Sequence, residues 1–147
     1  MPKQYTYPSG TTIRNLIYNS LLRQQHILGT ITDRDQVMPW VLMLVARATS
    51  DLNVVDEFIT YYYRPQESAR TLSNFDVNLM DNMRDQFNDT IGKMIRDLLY
   101  SSHFRQTHIL SLVTDQMEVP PWIVAKVSRA TNDLNSVDEF LTSTYRK

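Results

Sequence analysis

Shifted by 82 residues, the chain lies on itself. Positions 13–64 meet positions 95–146 without a gap, and 29 of these 52 pairs are identical. The strongest stretch is RATSDLNVVDEFIT at 47–60 against RATNDLNSVDEFLT at 129–142, followed by RQQHIL at 23–28 against RQTHIL at 105–110. Repetition on this scale means that the fold is assembled from two copies of one supersecondary unit. A tandem duplication of a unit that once paired with itself predicts a pseudo-twofold arrangement within one chain.

Each unit reads as three helices. The first carries Ile13, Leu16, Ile17, Ser20 and Leu21 at helical spacing, with Thr11 or Thr12 as the cap and Gly29 as the stop. The second starts at Pro39 and Pro121, where a missing N–H is harmless in a first turn, and lines one side with Trp40, Val41, Leu44, Val45 and Ala48. The third follows the repeated string T-x-D-L-N, with Asn53 and Asn135, or Thr49 and Thr131 a turn earlier, as caps and Val55, Phe58, Ile59 and Tyr62 as its buried face. Ser73 and Asp76 imitate a capping box. The apolar series Phe75, Leu79, Met83, Phe87, Ile91, Met94, Ile95 and Leu98 then predicts one long middle helix running from Asn74 through Gly92 into the second unit. Strand signals are missing: there is no Asn-Gly turn and only three glycines. The expected fold is all-α, a pseudo-twofold bundle of two three-helix units in one domain over 1–147. Its parts are a first unit at 11–64, a connector at 65–73, and the long helix plus second unit at 74–147. A unit of about 55 residues is marginal alone, which argues for one shared core.

Composition removes several kinds of chemistry. With no cysteine, disulfide frameworks, thiolate metal sites and cysteine nucleophiles are excluded. A formal charge of -1 gives no net basic field for nucleic acid or anionic membranes. Arg84, Lys93, Arg96 and Arg105 along the long helix are interleaved with Asp81, Asp85, Asp89 and Asp97, which reads as a solvated, salt-bridged face. The longest apolar run, 37–46, contains Pro39 and stops at Arg47, short of the roughly 20 residues a bilayer span requires. The polar start MPKQYTYPSGTT has no signal-peptide core, so a cytoplasmic location is expected. No phosphate loop, hydrolase elbow or His-Glu-x-x-His string occurs, so no catalytic residue, small-molecule substrate or cofactor is assigned.

Two sets of residues remain. His26 and His108 are equivalent, as are Asp33 and Asp115 seven residues on; about a twofold axis the four would make an N/O metal site, although the Glu-x-x-His spacing of helical di-metal proteins is missing. Otherwise each His bonds the end of its own helix or the next turn. The cluster Arg47, Thr49, Asp51, Asn53, Asp56 and Glu57, repeated at Arg129, Thr131, Asp133, Asn135, Asp138 and Glu139, reads as a capped helix–turn–helix corner. Its Asp56 and Glu57 point about 100° apart and cannot embrace one substrate. Trp40 and Trp122 read as core anchors.

The copies differ in one direction. Met43 stands against Ala125, Leu44 against Lys126, Ala46 against Ser128, and Tyr61 and Tyr62 against Ser143 and Thr144. A helix apolar nearly all round is buried or covered by a partner, so Leu42, Met43, Tyr61 and Tyr62 are the candidate protein interface. The functional expectation is a non-enzymatic interaction or assembly module, self-associating or binding a protein. Small helical modules of this kind suit viral or phage structural and accessory roles, in a host cytoplasm or a virion. A metal-binding helical protein using His26, His108, Asp33 and Asp115 is the alternative.

Overall fold

A computed structural model describes residues 9–63 and 90–145. They form four helices and, among the described residues, no strand: α1 (Ser9–Thr30), α2 (Pro39–Tyr63), α3 (Ile91–Leu112) and α4 (Pro121–Tyr145). None is long and apolar enough to cross a membrane.

Each repeat thus supplies two helices where three are expected. The string T-x-D-L-N does not break α2 or α4, because it contains neither Gly nor Pro and its polar groups do not cap. The Thr49 and Thr131 hydroxyls donate back to the Val45 and Val127 carbonyls at 2.9 Å, and Asp51 and Asp133 reach the other unit. The buried series Val41, Val45, Ala48, Leu52, Val55 and Ile59 runs through α2 in alternating steps of four and three. Its equivalent in α4 is Ile123, Val127, Ala130, Leu134, Val137 and Leu141. Such spacing makes one continuous seam from a helix-to-helix contact. Gly29 lies inside α1 and does not stop it. The expected long middle helix is interrupted at its junction with α3: Thr90 is extended (φ -63°, ψ 155°), and its hydroxyl accepts the Lys93 N–H as an N-cap. Positions 74–89 of that expected helix lie outside the described residues.

The packing crosses between repeats. α1 lies on α4, α2 on α3 and α2 on α4, while consecutive helices of one repeat hardly touch. α2 and α4 run antiparallel, with Trp40 edge-on to Phe140 at one end and Phe58 edge-on to Trp122 at the other (centroids 4.8 and 5.0 Å). Both tryptophans remain partly exposed, so they close the ends of the core without entering it. α1 and α3 cross at small polar residues, where Ser102 donates to Gln24 at 2.7 Å and Gln106 donates to Ser20.

The start of each first helix seats in the other repeat's inter-helix loop. The Gly10 N–H donates to the Met117 carbonyl at 2.8 Å, and the Gly92 N–H to that of Asp35 at 2.9 Å. A Cβ on Gly10 would lie 2.0 Å from the Thr114 carbonyl oxygen, and one on Gly92 2.5 Å from that of Thr32, so only glycine admits these approaches. One turn on, Arg14 donates to the Leu110 and Val113 carbonyls at the end of α3 (2.8 and 2.7 Å), and Arg96 to those of Leu28 and Ile31 at the end of α1 (2.6 and 2.9 Å). A guanidinium at a helix C-terminus satisfies orphan carbonyls and faces the negative end of the dipole.

Candidate functional site

The densest polar geometry lies where the end of each first helix meets the second helix of the other repeat. Asp138 of α4 accepts from Arg23 at 2.9 Å, pairs with the Nδ1 of His26 and accepts from Thr142 at 3.3 Å. In the other half Asp56 of α2 accepts from Arg105 at 3.1 Å, pairs with the Nδ1 of His108 at 2.7 Å and accepts from Thr60 at 3.3 Å. The helical spacing explains the assembly: Arg and His three apart on α1 or α3 share a face, as do Asp and Thr four apart on α2 or α4.

These clusters differ in access. Arg105 is 2% exposed and Asp56 fully buried, whereas Arg23 is 38% exposed. An open cleft of about 840 Å³ adjoins the Arg23 cluster, lined among others by Asn19, Leu22, Gln25, Glu139 and Ser143. At the positions of Leu22 and Ser143, the other half carries the bulkier Phe104 and Tyr61. Arg105 is therefore no part of a solvated charged face. Lys93 and Asp97 form a half-buried i,i+4 pair at 3.0 Å.

A second pair of clusters joins α2 to α4. Arg47 binds Asp133 through two hydrogen bonds of 2.9 and 2.8 Å, and Arg129 binds Asp51 through two of 2.8 and 2.7 Å. The hydrogen bond and charge of each carboxylate raise the guanidinium pKa further above its ordinary value. The residues that read as a corner inside one unit are the contact between units. Lys126, which replaces Leu44, adds an ion pair to Asp51 at 3.6 Å.

The expected metal set is not assembled. His26 and His108 are taken up by Asp138 and Asp56 of the opposite repeats, while Asp33 pairs with Arg96 at 3.0 Å and Asp115 with Arg14 at 3.5 Å at the helix starts. Among the described residues, no group of three or more His, Asp or Glu is placed to hold a metal ion. A His–Asp pair can serve as a general base when a nucleophile stands beside it. The cleft hydroxyls are otherwise engaged, however: Ser143 donates to the Phe140 carbonyl at 3.1 Å and Thr142 to Asp138.

Of the expected interface residues, Met43, Tyr61 and Tyr62 are exposed and Leu42 is half-buried against the core. Tyr62 packs on Phe58 and Tyr61 on Tyr62, with centroids 4.5 and 5.5 Å apart. Sequence reading missed Val54, which is also exposed. Its signal was present: Val54 stands eleven positions from Met43 and seven from Tyr61, so all three share one azimuth of α2. Comparison of the chain with protein-family models, curated proteins and solved structures gives no match.

Proposed function

We propose that the chain is a non-enzymatic assembly module, a fusion of two copies of a self-pairing helix–loop–helix unit, and that it binds protein through the outward face of α2. One observation carries this reading. Met43, Val54 and Tyr61 form an outward stripe, 70%, 39% and 58% exposed, where the equivalent face of α4 presents Ala125, Ser136 and Ser143. α4 makes the same seam contacts without those apolar side chains, so the fold does not require them on α2. Met43 and Tyr61 lie five turns apart, giving a stripe about 27 Å long. Met and aromatic residues are enriched in protein interfaces, and apolar groups held in water gain by being covered.

Reciprocity of contacts supports the fused-pair part of the reading. The contacts Arg14 to α3, Gln24 to Ser102, His26 to Asp138, Arg47 to Asp133 and Trp40 to Phe140 each have a counterpart with both residue numbers moved by 82 and the repeats exchanged. A protein that links two surfaces in a larger assembly, including a viral or phage one, would use such a module.

The test replaces the stripe with the residues of its own twin, Met43→Ala, Val54→Ser and Tyr61→Ser. Native mass spectrometry of the wild type is expected to show a discrete oligomer or a complex with a co-purified protein, and the triple variant a bare monomer with unchanged far-UV circular dichroism. Equal assembly of both overturns the interface; loss of helicity makes the stripe part of the core.

A further inference from the structure

We propose that the interface between the two repeats is exchangeable between chains, so that α1–α2 of one copy pairs with α3–α4 of a second copy to give a closed, two-body dimer. This rests on the fused-pair reading above and adds its partner: another molecule of the same chain.

The division of contacts carries the inference. Consecutive helices of a repeat hardly touch, so a repeat is held open by its loop and completed only by the other repeat. The ion pairs Arg47 to Asp133, Arg129 to Asp51, Arg105 to Asp56 and Arg23 to Asp138 each join a helix of one repeat to a helix of the other. The glycine seats and arginine clamps at Gly10, Gly92, Arg14 and Arg96 run the same way. Exchange therefore keeps every such contact and changes only which chain supplies each partner, the condition under which swapping is a low-cost route to a dimer. The covalent tie between the bodies is the 26 residues at 64–89. A chain of that length can span at most about 94 Å, well beyond the length of any one helix here, so the tie is long enough to let the two repeats of one chain part. A covalent tie favours the closed monomer in dilute solution, and the exchanged dimer forms when chains are crowded or refold together.

Complementary charge reversal separates exchange from any other association. All measurements use full-length chains in the stripe-free background, so that docking through α2 does not contribute. Arg47→Glu sets two acids together with Asp133, and Asp133→Arg sets two bases together with Arg47. Each variant alone carries the clash in a closed monomer. In an exchanged dimer of the two, one body pairs Glu with Arg and the other pairs the native Arg47 with the native Asp133.

Co-refolding from denaturant is expected to give a mixed dimer at about twice 17.2 kDa, with each variant alone remaining monomeric and less stable. The double variant in one chain should be monomeric with its melting temperature restored. Monomers only from the mixture, with a restored double variant, would overturn exchange and leave the fused pair standing. A double variant that is not restored would overturn both. The charge-unaltered chain gives an independent reading: light and ¹⁵N-labelled protein co-refolded at millimolar concentration should yield dimers of mixed mass that persist for hours after dilution, and their absence would overturn exchange.

Discussion

Asp56 and Asp138 occupy equivalent places, accept from the same residue types and lie in the same helical setting, yet the arginine of one cluster is buried while that of the other opens on a cleft. The equivalent positions nearby differ as well: Phe104 and Tyr61 stand in one half where Leu22 and Ser143 line the cleft in the other. Arg105 pairs with Asp56 almost out of reach of solvent, whereas Arg23 keeps more than a third of its side chain exposed. Identical hydrogen bonds need not contribute equally, because the penalty for a lost partner grows as water is excluded.

The largest expected effect tests that inequality. Asp56→Ala removes the buried carboxylate that Arg105 and His108 share and should cost about 3–5 kcal/mol. Asp138→Ala leaves a partly exposed Arg23 that can turn to water and should cost about 1–2 kcal/mol. Urea unfolding of the two variants measures both, and equal losses would show that the cleft does not hydrate its cluster.

Next come the glycines. Gly10→Ala and Gly92→Ala each drive a methyl into a carbonyl and should cost about 1–3 kcal/mol. Gly29→Ala, where a Cβ would meet nothing within 4 Å, should raise stability by up to about 1 kcal/mol. Thermal melts of the three alanine variants would sharpen the contrast between seated and unseated positions.

The smallest effect concerns the seam. Lys126→Leu restores the first repeat's residue and removes only a partly exposed pair to Asp51, so a change within about 0.5 kcal/mol is expected by the same melts. A large loss would mean that the second repeat depends on that charge.

What the sequence made legible follows from local periodicity. The repeat, the helical class, the starts at Pro39 and Pro121 and the outward Met43 and Tyr61 are all encoded in spacings of a few residues. The count of helices is not legible because Thr, Asp and Asn at 49–53 have the composition of a cap, and composition does not reveal that Asp51 is bound by an arginine 78 positions away. The same holds for Asp56 and His108, whose pairing depends on which repeat covers which. Gly92 falls inside the expected long helix; extending the self-alignment three residues upstream sets it against Gly10, and the structure shows both as seats.

The open form of each repeat also governs how the chain is made. On a ribosome, α1 and α2 emerge with the seam Val41 to Ile59 uncovered, and nothing in the first repeat can cover it. Within one chain, stable structure must wait until α3 and α4 are synthesised some 80 residues later. The first half is thus born unfinished, and for that interval it is the part of the molecule most in need of a chaperone.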